Sequence, residues 1–184
     1  MTYTIKLIIT TILVLLTFIP SVNASRENDA YEGNIFTIFT GNGALVPPPT
    51  TLKESLKNKR TSVLVFYLDD SATSKAFAPV VSGIKLLWPS EIDLIPLTTD
   101  ELQNKEQLKQ TDPAFYWHGK VPQTVVINPK GEVVFDEEGQ VAIDEINSAI
   151  SNATGLTPPN FTISIKSFNE YNSEAAKDGY TDPR

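Results

Sequence analysis

The stretch VFYLDDSATSKAFAP, from Val65 to Pro79, decides the fold. It begins inside an apolar run, Thr61 to Leu68, that is typical of a strand covered on both faces of a sheet. It turns through two aspartates and enters a helix predicted over Ser71 to Leu87, with a proline inside it. Such a strand-to-helix turn presents a reactive group at a helix N-terminus, yet the turn from Ser71 to Ser74 holds only Ser-Ala-Thr-Ser.

Composition excludes several kinds of site. The 184 residues contain no cysteine, which rules out disulfides, thiol catalysis, iron–sulfur clusters and cysteine-ligated zinc. The single histidine, His118, argues against a histidine metal site or a serine-protease triad. The net charge of −7 argues against a nucleic-acid partner, because phosphate neutralisation needs clustered Lys and Arg. We therefore predict no cofactor and no nucleic-acid binding.

The N-terminus is typical of an export signal. An apolar run from Leu7 to Ile19 follows a single lysine and ends at Pro20. Small residues then lead up to Ala24, which predicts a signal peptide over residues 1–24 that is cleaved after Ala24. The run is short for a bilayer span, which needs about 20 residues, so an uncleaved membrane anchor is the alternative.

The rest of the chain divides into three parts. Residues 25–50 are predicted to form an extended N-terminal segment, with a β-rich piece from Asn34 to Thr40, and residues 156–184 a C-terminal extension. Residues 51–155 carry the alternating pattern of an α/β domain around one mixed sheet. Its predicted elements are helix Thr51–Lys59, strand Thr61–Leu68, helix Ser71–Leu87, strand Ile92–Thr99, helix Glu101–Gln110, hairpin Pro122–Gly139 and helix Ile143–Ala153.

Residues at the turn, inside the following helix and before the hairpin match a known pattern. Thioredoxins have an apolar strand, a Cys-x-x-Cys turn, a lysine and then Ala-Pro within the helix. Here the turn is followed by Lys75 and Ala78-Pro79, and GKVPQT, from Gly119 to Thr124, matches the segment that carries the family's cis-proline. PKGEVV, from Pro129 to Val134, is similar to the family's hairpin. From Thr51 to Gly155 the chain therefore resembles thioredoxins, which implies a central mixed sheet flanked by helices.

The departures from thioredoxins concern the redox apparatus. Ser71 and Ser74 stand at the two cysteine positions, and a serine cannot exchange disulfides because the attacking group must be a thiolate. Asp70 replaces the tryptophan that commonly precedes the first cysteine, and Val65 replaces the buried acid that assists proton transfer. The chain thus resembles a redox-inactive thioredoxin-like protein, and we predict that it is not an enzyme.

A narrower resemblance lies outside the core. YEGNIFTIFTGNGALVPPPTTLKESL, which starts at Tyr31, and KSFNEYNSE, which starts at Lys166, are similar to segments of cyanobacterial and algal-plastid thylakoid proteins with a thioredoxin-like domain. This resemblance implies an exported protein in the thylakoid lumen or on the lumenal membrane face, with the periplasm as the alternative. It implies a protein partner such as a photosystem, and contact with the membrane surface is possible.

The resemblance to thioredoxins also implies where a partner would bind. In those folds the residue before the cis-proline offers its backbone to an extended peptide. We therefore predict a protein-binding surface formed by the turn, the proline loop and the aromatic stretch before it. Its candidate residues are Ser71, Thr73, Ser74, Trp117, Val121, Pro122 and Gln123.

Each of these candidates also has a purely structural interpretation. Ser71 or Asp70 can cap the helix, which is the stronger interpretation of the turn because no base lies beside the serines in sequence. Pro122 can simply shape the turn before the hairpin. Two of the four rings between Phe115 and His118 can fill the core.

We predict a non-enzymatic binding or scaffold protein that acts in photosystem assembly or as an accessory subunit. Two alternatives remain open at this stage. One is a structural subunit held in a membrane complex by its terminal tails, and the other is an exported thioredoxin-fold enzyme of unknown chemistry.

Overall fold

The computed structural model describes residues 25–102 and 109–157. The predicted signal segment, the predicted C-terminal extension from residue 158 onward and most of the predicted helix Glu101–Gln110 lie outside these ranges. Within them, none of the helices has both the length and the hydropathy needed to cross a membrane.

The described residues form four helices and four strands, joined by short 3₁₀ turns. The helices are α1 (Ile35–Thr40), α2 (Leu52–Lys57), α3 (Ala72–Leu87) and α4 (Ile143–Thr154). The strands are β1 (Thr61–Tyr67), β2 (Ile92–Thr98), β3 (Gln123–Ile127) and β4 (Val133–Glu138). The 3₁₀ turns are Gly43–Leu45, Thr99–Leu102 and Pro113–Tyr116.

The strands make one mixed sheet in the order β2-β1-β3-β4. β1 runs parallel to β2, with Val63 opposite Leu94, and antiparallel to β3, with Val63 opposite Val126. β3 and β4 form the predicted antiparallel hairpin. All seven residues of β1 are buried, as its continuous apolar sequence predicts for a central strand.

Side chains of β1 alternate between two separate clusters on the two faces of the sheet. Val63, Val65 and Tyr67 join the larger cluster, which α1, α3 and α4 cover. Leu64 and Phe66 join the smaller one, which also contains Leu52 of α2 and Tyr116, and the period of two explains this division. The sheet is thus covered by helices on both faces, which confirms the predicted thioredoxin-like α/β fold.

One predicted element is wrong. Asn34–Thr40 was expected to be β-rich, but Ile35–Thr40 is helix α1. The side chain of Asn34 accepts hydrogen bonds from the backbone N–H groups of Phe36 and Thr37, and Gly41 ends the helix at a φ of 64°. An N-cap residue before the segment and a glycine after it are helix signals, and they outweigh a weak alternation of apolar and polar residues. The apolar pairs of IFTIFT repeat at helical spacing and bury Ile35 and Phe36.

Candidate functional site

The turn after β1 is a helix cap. The Ser71 hydroxyl accepts a hydrogen bond from the Ser74 N–H at 3.3 Å, which confirms Ser71 as the N-cap of α3. Ser74 is buried, and its hydroxyl accepts from the Leu68 N–H at 3.2 Å. The hydroxyls of Ser71 and Thr73 lie 2.9 Å apart. The two serines at the cysteine positions therefore hold the turn together, and Thr73 is its one fully exposed residue.

The proline loop lies against this turn. The Val121-Pro122 peptide bond is cis, as the resemblance to thioredoxins implies. The hydroxyl of Thr73 donates to the Val121 carbonyl at 3.4 Å, so a hydrogen bond joins the turn to the loop. Within the described ranges, the Val121 N–H has no hydrogen-bond partner. The loop therefore presents the Val121 N–H as a free backbone donor beside the turn.

Gln123 organises the loop from beneath. Its side chain is buried, and its amide nitrogen donates to the Tyr116 carbonyl and to Asp136 Oδ1, both at 2.8 Å. Its amide oxygen accepts from the His118 N–H at 3.1 Å. With both ends of the amide used, Gln123 fixes the course of residues 116–123. Its predicted direct role toward a partner stays a prediction.

The aromatic stretch is divided between the core and the surface. Tyr116 is buried, and Trp117 is half-buried with its ring centroid 5.4 Å from that of Phe66. Phe115 is 45% exposed and lies edge-on to Tyr116. Of the four rings, those of Phe115 and His118 are exposed, so the stretch supplies two exposed rings.

Charged groups line the other side of the loop. His118 Nε2 lies 3.4 Å from Asp136 Oδ2, and Lys120 Nζ lies 2.7 Å from Glu138 Oε2. The hydrogen bond with Glu138 raises the pKa of the exposed Lys120 ammonium. Among the described residues, no group of three or more His, Asp or Glu side chains could hold a metal ion.

Residues 25–32, here called the clamp segment, fold over the start of α3. The Asp29 carboxylate accepts a hydrogen bond from the Ala72 N–H at 2.7 Å. This places a negative charge at the positive end of the α3 dipole, where the thiolate of a thioredoxin would lie. The sequence of this segment resembles a polar linker, and its role at α3 was missed because the contact joins residues 43 positions apart.

Lys75 is completely buried beneath the clamp segment. Its ammonium donates to the backbone carbonyls of Ser25, Asn28 and Ala30 at 3.2, 2.9 and 2.6 Å, and to the Asn28 side chain at 3.2 Å. Within the described ranges, no carboxylate lies within 4 Å of it. Carbonyl oxygens, together with the ring of Phe39 at 5.8 Å, stabilise this charge, so burial of Lys75 depends on the clamp segment.

Asp69 caps a different helix from the one it precedes. Its Oδ1 accepts from the Ile35 N–H at 2.9 Å and from the Asn34 side chain at 3.4 Å, so it ties the start of α1 to the end of β1. Burial raises the pKa of Asp69, the Ile35 hydrogen bond opposes that shift, and the charges of Asp100 and Asp70 add to it. Asp69 therefore caps α1, although it lies just before α3 in sequence.

The raised pKa of Asp69 gives a pH-dependent expectation. A carboxyl group that holds its proton more tightly when folded favours the native state at low pH and disfavours it once ionised. We expect Asp69→Asn, which keeps the acceptor for Ile35, to be at least as stable as the wild type at pH 7. That advantage should shrink as the pH falls through the raised pKa. Urea unfolding of both proteins from pH 7 to pH 3.5 tests this, and a gap that widens on acidification would contradict it.

The fold and the turn together define a class of protein: a thioredoxin-like domain with serine at both redox positions. The chain is 35% identical over 153 residues to "Thylakoid membrane protein slr1796" of Synechocystis sp. (strain ATCC 27184 / PCC 6803 / Kazusa). The match covers 82% of this chain and 76% of the relative. The chain belongs to the family of that cyanobacterial protein.

A solved structure titled as a thiol:disulfide interchange protein, thioredoxin family protein, from Chlorobium tepidum TLS is similar to 59% of this chain and 92% of its own, at a TM-score of 0.42 and 15% identity. No protein-family model matches the sequence.

Proposed function

We propose that this protein is a non-enzymatic binding or scaffold protein on the lumenal side of the thylakoid membrane, acting in photosystem assembly or as an accessory subunit. The observation that carries the proposal is the free N–H of Val121, held beside the turn on a loop that is rigidly supported from below. Since no cysteine exists, the groove that thioredoxins use for thiol exchange keeps only its capacity to bind.

The open part of this surface is small and well defined. The clamp segment covers the N-terminus of α3, whereas the exposed Thr73, the Val121 backbone and the exposed ring of Phe115 remain available. An extended segment of a protein partner fits such a surface. Its backbone carbonyl can accept from the Val121 N–H, and a neighbouring apolar side chain can pack against the ring. The buried members of the predicted surface, Ser74 and Gln123, act by holding the exposed ones in place.

The location follows from two supports. The family relative is named a thylakoid membrane protein. The N-terminal sequence has the pattern of a cleaved signal peptide, which would deliver the domain across a membrane. A domain delivered in this way to a thylakoid lies on its lumenal side, where the exposed surfaces of the photosystems are the partners we propose.

The binding surface is tested by purification from native membranes. The full-length protein with a C-terminal affinity tag should recover photosystem subunits, identified by mass spectrometry. Thr73→Arg, which places a long charged side chain on the open surface, should lower that recovery by about 30-fold, the effect of losing one hot-spot contact. Asn152→Arg adds the same charge to an exposed position of α4 and should leave recovery unchanged.

Each outcome separates one part of the proposal from the rest. Equal recovery by Thr73→Arg and the wild type would exclude the proposed surface. If the wild type recovers a complex other than a photosystem and Thr73→Arg does not, the proposed surface is supported and the proposed partner is rejected. Steady reduction of a disulfide substrate by the pure protein would reject the non-enzymatic role.

A further inference from the structure

Ser25 is held at three of its atoms. Its backbone nitrogen lies 3.0 and 2.9 Å from the two carboxylate oxygens of Glu32. Its carbonyl accepts from Lys75, and its hydroxyl accepts from the Glu27 N–H at 3.3 Å. A residue at the edge of a loose linker would not be held in this way, so the contacts at Ser25 point to a specific function for this position.

The Glu32 contact has the form of an ion pair. A peptide nitrogen carries one hydrogen and can direct it well at only one oxygen, yet the two oxygens of Glu32 lie equally close. An ammonium group carries three hydrogens and can donate to both oxygens at once, which makes a stronger, charge-assisted pair. Cleavage after Ala24 would turn the nitrogen of Ser25 into such an ammonium.

We propose that the Glu32 carboxylate is the binding site for the α-ammonium group created at Ser25 when the signal peptide is removed. Processing thereby adds a charged pair at Ser25 to the contacts that the Ser25 carbonyl and Asp29 already make with Lys75 and the N-terminus of α3. This inference rests on the cleavage included in the proposed function and does not depend on any partner.

A two-by-two comparison of mature chains tests the pair. Chains of residues 25–184 are prepared with a free or an acetylated Ser25, each with Glu32 or with Glu32→Gln. Acetylation removes the charge and two of the three hydrogens of the ammonium, and it keeps one N–H for hydrogen bonding. With Glu32 present, the free terminus should raise the melting temperature by about 3 °C, the shift expected of a modest stabilisation in a domain of this size. With Glu32→Gln, that difference should disappear, because the charge then has no partner.

Glu27→Gln is the matched control. Glu27 lies in the same segment, and within the described ranges its carboxylate accepts no hydrogen bond. Its substitution should preserve the 3 °C difference. Labelling with an amine-acylating reagent gives a second measurement: the α-amine of Ser25 and the ammonium of Lys75 should both react faster in Glu32→Gln than in Glu27→Gln.

Three results would overturn the inference. They are equal melting temperatures of the free and acetylated wild-type chains, an equal difference in the Glu32 and Glu32→Gln backgrounds, and a native mature protein whose first residue is not Ser25. The first comparison needs no substitution, so it holds even where Glu32→Gln folds poorly. None of these measurements involves a partner, so failure of the pull-down and failure of this pair are distinguishable.

Discussion

Replacing Lys75 with methionine is expected to lower the free energy of unfolding by about 3 kcal/mol. Methionine keeps the length and the apolar stem of the side chain but removes the ammonium that serves the carbonyls of Ser25, Asn28 and Ala30. A buried acceptor that loses its donor costs about 1–3 kcal/mol. The loss should stop near 3 kcal/mol, because release of the clamp segment lets water hydrate these carbonyls while the sheet stays intact.

Equilibrium unfolding in urea measures this effect on the mature chain. Lys53→Met on the exposed side of α2 makes the same chemical change and should alter the unfolding free energy by less than about 0.5 kcal/mol. Limited proteolysis adds a local test, since Lys75→Met should speed cleavage within residues 25–32 before any other site. Equal stability of the two lysine variants would show that the ammonium contributes nothing to holding the clamp segment.

Val65→Asp, which places an acid where thioredoxins have one, should lower the free energy of unfolding by at least about 4 kcal/mol. The side chain of Val65 is fully buried in the larger cluster, with the rings of Phe77 and Trp88 in that same cluster. That cluster contains no cation to compensate a carboxylate for its loss of hydration, and the indole N–H of Trp88 already donates to Asn147. A loss of this size would leave a typical domain with only a small free energy of unfolding.

The control for this prediction is Val65→Thr, which has nearly the same shape and adds one hydroxyl. It should cost about 1–3 kcal/mol and leave a folded protein. Thermal unfolding followed by circular dichroism compares the two variants. Equal stability of Val65→Asp and Val65→Thr would contradict the prediction. It would mean that water reaches this part of the core and hydrates a carboxylate there.

The central part of the fold was predictable because its signals are local. The buried run of β1, the cap at Ser71 and the Asn-Pro-Lys-Gly turn of the hairpin each lie within a few residues of the element that they define. The resemblance to thioredoxins implied that the Val121-Pro122 loop lies beside the turn. Short-range chemistry and one resemblance therefore gave the sheet and the frame of the site.

The clamp segment could not be predicted in the same way. Its contacts join Asp29 to Ala72 and Ala30 to Lys75, residues 43 and 45 positions apart. Composition makes residues 25–33 a solvated linker, because nothing in a polar sequence shows that a buried ammonium will need its carbonyls. The burial of Ser74 and Gln123 was missed for a related reason, since small and amide side chains give no apolar signal when they are buried through hydrogen bonds.

The replacement of the expected first strand by α1 has a consequence for self-association. In the part of the chain that the structure describes, β2 and β4 remain as the outer strands, each with one side open to a further strand. Outer strands invite aggregation unless something discourages pairing. β2 carries Pro96, which has no N–H to offer, and β4 ends in the three acids from Asp136 to Glu138, which repel the like-charged strand of a second copy. Within the described residues, each outer strand thus carries a feature that disfavours pairing with a second copy.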